Sequence, residues 1–162
     1  MRARILSVAA LAVLIGAVAW QWHVDDADAQ AHVLTALDPE AVSHVEVALK
    51  GLPVQRFDRR DGHWIGGGAT TDEGRVGELA SLAATPVSAW RPVSEFELAK
   101  IGLTPPVAVL VLDGTRVEFG EMTALRKQRY ARVGDRVAIV PAQALPRAPR
   151  TASLPASSST TR

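Results

Sequence analysis

The side chains able to do chemistry in this sequence are few and scattered. Four histidines, His23, His32, His44 and His63, stand among 17 acidic residues, which raises a metal centre first. Imidazole and carboxylate ligands converge on a divalent ion when they recur one helical turn apart or within a compact motif. Here no histidine has a histidine partner four residues away, and none sits in a compact His/Asp/Glu motif. His23 and His32 lie outside the expected domain, and His44 and His63 read as surface or strand-edge residues. Nucleophilic catalysis by serine needs the hydroxyl raised on a sharp turn with a base in reach. Ser7, Ser43, Ser81, Ser88, Ser94 and the serines of the C-terminal tail form no Gly-x-Ser-x-Gly elbow. Glycines 66 to 68 invite a phosphate-loop reading, but no Gly-Lys-Ser/Thr follows them, so they read as a flexible exit from a strand. A glycosidase needs two carboxylates facing each other across a cleft, and spacing alone shows no such convergence. The expectation is therefore no catalytic residue, no cofactor and no metal.

The densest functional candidate is basic. Arg126, Lys127, Arg129 and Arg132 surround Tyr130, and cations beside an aromatic ring can hold an acidic loop, a phosphate or a sugar acid. These five residues are the candidate interaction surface. The competing reading is an exposed loop running into a strand with one solvated face, because Glu121 and Asp135 flank the cluster and cancel part of its field. Arg56, Asp58, Arg59, Arg60 and Asp61 form a charged hairpin tip whose exposed ion pairs contribute about 0–1 kcal/mol. Trp64 and Trp90 read as core anchors.

The elements that must position these groups follow from periodicity. Val45, Val47 and Leu49 alternate with His44, Glu46 and Ala48, the pattern of a half-buried strand. Extended structure resumes over 54–59, and Asp61-Gly62 turns it into His63-Trp64-Ile65. Thr70 and Glu73 have capping-box spacing, and Val76, Leu79, Ala80 and Ala83 share one stripe, which predicts a helix over 72–84. A second short helix is expected over 95–101. The apolar run 107–112 predicts a central strand, and Asp113-Gly114 turns it into 115–119. Gly134-Asp135 makes a third hairpin from 130–133 and 136–140. The fold class expected is α+β, a mainly antiparallel sheet of hairpins with one principal helix packed on one face.

The N-terminus has a separate character. From Ile5 to Val24 the chain reads ILSVAALAVLIGAVAWQWHV, with Arg2 and Arg4 before it and Asp25, Asp26 and Asp28 after it. Twenty helical residues at about 1.5 Å each span a bilayer core of about 30 Å, and Trp20 and Trp22 fall at the interfacial belt. An uncleaved transmembrane helix is the preferred reading because the tryptophans carry the run past the length of a signal peptide. A cleaved signal is the alternative, and both readings export the rest of the chain. The expected organisation is an anchor or signal over 1–24, a spacer over 25–32, an extracytoplasmic domain over 33–145 and a disordered tail over 146–162.

Composition narrows the partners. Setting aside Arg2 and Arg4 leaves 16 basic against 17 acidic residues, so the domain is close to neutral and lacks the long-range field that gathers nucleic acid or anionic lipid, and neither partner is expected. No cysteine is present, which excludes disulfides, a thiol nucleophile and a lipid-modified cysteine.

Several segments together resemble a bacterial family, the domain of unknown function numbered 4340. They are Leu34-Thr-Ala-Leu-Asp-Pro, the Phe57 to Trp64 hairpin, the helix, Ile101-Gly-Leu-Thr-Pro-Pro, Arg129-Tyr-Ala-Arg-Val and Val137-Ala-Ile-Val-Pro. The resemblance covers about residues 32–145 as a single unit. It implies an N-terminal membrane segment, an extracytoplasmic α+β domain, and kinship with auxiliary proteins of gliding-motility-type ABC transporters. It assigns no catalytic residue. The function expected is that of a membrane-anchored interaction or scaffold module in the periplasm, single-pass in the inner membrane through residues 5–24, with a membrane-protein complex as partner. The alternative is a periplasmic hydrolase or a sugar- or anion-binding domain.

Overall fold

The computed structural model describes residues 32–66 and 71–149. The anchor over 5–24, most of the tail and the Thr70 cap of the sequence reading lie outside the described residues. The described residues form one eight-stranded antiparallel sheet with one α-helix, consistent with an α+β fold.

Strands β1 (His44–Leu49), β2 (Gln55–Arg60) and β3 (His63–Gly66) make a meander. Helix α1 (Glu73–Ser81) follows and tightens into a 3₁₀ turn, Leu82–Ala84. Next come β4 (Ala89–Pro92), β5 (Ala108–Leu112), β6 (Thr115–Met122), β7 (Gln128–Val133) and β8 (Arg136–Pro141). The strand order is β3-β2-β1-β5-β6-β7-β8-β4. Turn chemistry sets the local pairs: Asp61-Gly62 and Asp113-Gly114 both take positive φ, as a two-residue hairpin turn with the twist of the flanking strands requires. The long-range joint is β1 with β5, Val45 opposite Leu112 and Leu49 opposite Ala108.

Alternation decides which side chains are buried. Val45, Val47, Phe57, Trp64, Leu110, Leu112, Val117, Phe119, Ala131, Ala138 and Val140 face the side covered by α1 and the N-terminal segment. There they meet Val76, Leu79 and Ala80 of the helix, Ala83, Leu34 and Val42. The helix cap differs from the capping-box expectation: Asp72 is the N-cap, its carboxylate accepting from the Arg75 N–H at 3.1 Å. An aspartate satisfies a free helical N–H and adds favourable charge at the positive end, which explains its use here.

The opposite face of the β6–β8 half is covered by the segment linking β4 to β5. A second helix over 95–101 does not form. A 3₁₀ turn occupies Val93–Glu95 instead, and the chain then crosses the sheet in turns. Phe96 meets Tyr130 edge to face at 5.7 Å, and Leu103 and Val137 are buried on that side, outside the main cluster. The strap lies so close that Gly120 is needed, since a Cβ there would collide with the Ile101 carbonyl oxygen. A helix holds its backbone farther from a sheet, so this closeness accounts for a strap built of turns. Packing also continues past 145, with Pro146 and Pro149 buried.

Because every pair is antiparallel, the turns fall at two ends of the sheet. One end carries Asp61-Gly62, Asp113-Gly114 and Gly134-Asp135. The other carries the β1–β2 turn, residues 50–54, and the β6–β7 turn, residues 123–127.

Candidate functional site

The five residues of the basic cluster do not share one surface. On β7 successive side chains alternate, so Arg129 turns to the core face while Tyr130 and Arg132 turn to the other. Arg132 stays near Glu118 at 3.5 Å and donates to the Gly134 carbonyl at 2.9 Å. Tyr130 is half-buried beneath Phe96. Arg126 and Lys127 are exposed in the β6–β7 turn, where Arg126 holds a left-handed φ of 54° and its N–H donates to the Thr123 carbonyl at 2.8 Å.

Arg129 is the unusual member. It is 4% exposed, its Nη1 donating to the Gly120 carbonyl at 2.8 Å and its Nε to the Ala142 carbonyl at 3.1 Å. Burial lowers its pKa, since no carboxylate of the described residues stands within ion-pair reach to favour the charge. The pairing of β6 with β7 shifts register between Phe119 and Met122, a bulge that frees the Gly120 carbonyl for this contact. Beside it lies a cleft of about 520 Å³ lined by Val107, Glu121, Met122, Thr123, Ala124, Arg126 and Arg129. A cleft holding one buried and one exposed guanidinium can receive an anion. Nothing local marks Arg129 as buried, because an arginine between Gln128 and Tyr130 reads as surface.

A second polar cluster stands at the other end. Asp113 accepts from the Ser43 N–H at 3.2 Å, the Ser43 hydroxyl at 3.0 Å and the His44 N–H at 2.7 Å. The His44 ring meets Asp58 at 2.8 Å. Serine, histidine and aspartate are thus adjacent, but the Ser43 hydroxyl is committed to Asp113 and the His44 ring to Asp58, which is not the relay nucleophilic catalysis needs. The cluster is a latch that fixes the start of β1 against the β5–β6 turn. Burial pushes the Asp113 carboxyl up, yet the Ser43 and His44 donors and the nearby His44 charge outweigh it and leave the pKa lowered. A carboxyl with a folded pKa below its unfolded value of about 3.9 stabilises above that value and loses the contribution as pH falls through the folded pKa. Asp113→Asn keeps the positive φ accessible but removes the charge. At pH 6 it is expected to cost about 1 kcal/mol in denaturant titrations and to flatten the fall of stability below pH 4. Unchanged acid sensitivity in the variant would show that the latch carries no linkage.

His63 meets Glu73 at 3.2 Å across the exposed surface, and no group of three or more potential metal ligands occurs among the described residues. Trp64 is a core residue, 8% exposed, and Trp90 packs partly buried with Arg136 over its ring at 4.6 Å. Among the described residues β3 pairs only with β2, leaving its outer edge unpaired, and Ile65 on it is 52% exposed.

The arrangement defines a class by fold alone, a mostly antiparallel sheet domain with one helix. No family model, curated protein or solved structure matches the chain.

Proposed function

We propose that the chain is an interaction module of the bacterial envelope, held at the inner membrane by residues 5–24 with its sheet domain in the periplasm, and that it takes up an extended segment of a partner along β3. The observation that carries this reading is the outer edge of β3, unpaired among the described residues, with Ile65 exposed beside it. Such an edge offers main-chain donors and acceptors in register for an added strand, and an exposed apolar side chain gives that strand something to pack on. The anchor is supported by the apolar run and its flanking charges, and an ABC-type export or envelope-assembly complex is the partner class that the family resemblance implies.

The test is site-specific photocrosslinking from position 65 in the full chain within native envelopes, with position 78 on the exposed side of α1 as reference. Discrete adducts with subunits of a membrane complex at 65, absent at 78, are the expected result, because a strand added to the β3 edge lies beside Ile65 and away from the exposed side of α1. Equal adducts at both positions would overturn the edge-strand reading.

A further inference from the structure

The exposed apolar side chains are concentrated at one end of the sheet. Leu52, Val54, Ile65, Met122 and Leu125 are the large exposed hydrophobic residues among those described. Four of them belong to two turns or their borders: Leu52 and Val54 between β1 and β2, Met122 and Leu125 between β6 and β7. Leu125 is 82% exposed.

Topology brings these turns together. The Lys50 N–H donates to the Val107 carbonyl at 3.4 Å, which seats the first turn beside the start of β5, and Val107 lines the same cleft as Met122 and Arg126. Three inter-strand steps separate the two turns, a distance of about 14 Å along the sheet end. Together residues 50–54 and 121–127 carry Lys50, Arg126 and Lys127 against one acid, Glu121. Arg129 adds a buried charge that no carboxylate of the described residues neutralises. The opposite end is balanced in charge, with Asp61, Asp113 and Asp135 in its turns beside Arg60, Arg116 and Arg136.

Apolar tips ringed by cations match an anionic bilayer, whose hydrocarbon receives the tips and whose phosphates lie at the level of the cations. The placement of the first described residue agrees. The Val87 N–H donates to the His32 carbonyl at 2.8 Å, and with Ala89 opposite Ile139, Val87 stands level with Pro141 at this same end. His32 therefore stands on the side of the apolar tips.

We infer that this end of the sheet docks on an anionic phospholipid surface. Leu125, Met122, Leu52 and Val54 enter the interface, while headgroup phosphates sit against Arg126, Lys127 and the cleft over Arg129. The contact is reversible and weakens with salt, because exposed charges are screened. It requires neither a membrane span at 5–24 nor a partner on β3.

The chain has no cysteine, so one introduced at 125 or 52 is the sole labelling site, and Asp135→Cys at the opposite end is the reference. The full chain, labelled with an environment-sensitive fluorophore, is reconstituted into vesicles of phosphatidylglycerol or phosphatidylcholine with brominated acyl chains. In phosphatidylglycerol, labels at 125 and 52 are expected to be quenched about threefold more than at 135, and in phosphatidylcholine the difference disappears. Adding Arg126→Gln and Lys127→Gln to the 125-labelled chain lowers the docking equilibrium constant about 25-fold, about fivefold for each cation removed. Quenching at 125 no greater than at 135, or equal in the two lipids, overturns the proposal. So does a benzophenone at 125 that links to a protein rather than to lipid in native envelopes. Alkaline flotation reads the span separately: a chain released by alkali fails as an anchor, while the contrast between 125 and 135 at neutral pH still decides the docking.

Discussion

Replacing Phe119 with alanine is expected to lower the unfolding free energy by about 4 kcal/mol, the largest effect of any single truncation in this fold. Phe119 is fully buried in β6, and its neighbours across the strands are Ala108 on β5 and Ala131 on β7. Two alanines make room for one aromatic ring. When the ring is removed they cannot swing in to fill the space, so the transfer loss and most of the cavity penalty are both felt. Leu110, between the larger Val47 and Val117, is expected to cost about 3 kcal/mol when cut to alanine, because its neighbours can relax into part of the void. Urea denaturation of the two variants reads the difference directly. A Phe119→Ala loss below that of Leu110→Ala would mean that the alanine-flanked ring is not the centre of the core.

Arg129→Ala is expected to cost about 3 kcal/mol, unusual for an arginine and close to the effect of a core truncation. The side chain bridges the strands on either side of its own, reaching the Gly120 carbonyl at the end of β6 and the Ala142 carbonyl just past β8. Removing it leaves two acceptors unsatisfied at a site only 4% exposed. Arg129→Lys is expected to recover less than half, since a single ammonium lacks the planar fork that serves two carbonyls at once. A loss under about 1 kcal/mol for the alanine variant would mean that water replaces the guanidinium without penalty.

The two predictions differ in how visible their residues are in the sequence. Phe119 alternates with Glu118 and follows an Asp-Gly turn, so its strand and its inward face can be read directly. The hairpins at 61–62, 113–114 and 134–135 are legible for the same reason: turn residues with positive φ sit between alternating segments. Arg129 is not legible. Its burial depends on the bulge before Met122 and on the end of β8, neither of which marks the local string. Alternation also divides the basic cluster, which looks continuous along the chain, between two faces and a turn. Strand β4, paired only with β8, was hidden because four residues ending in proline carry too little pattern. The helix expected over 95–101, closed by Gly102 and the prolines at 105 and 106, gives way to turns because Gly120 beneath the strap brings the Ile101 carbonyl close to the sheet. The apolar end is not legible in the sequence because its two turns share one end of the sheet only through the distant pairing of β1 with β5.

That same joint governs how the protein assembles as it is made. Strands β5 to β8 follow one another through short connections and can zip together early in folding. Strand β1 emerges early and must wait about 60 residues for β5, so the first meander spends that interval with a hydrogen-bonding edge exposed. The Asp113 turn that completes the joint also holds Ser43 and His44, so the arrival of one carboxylate both closes the seam and covers the waiting edge of β1.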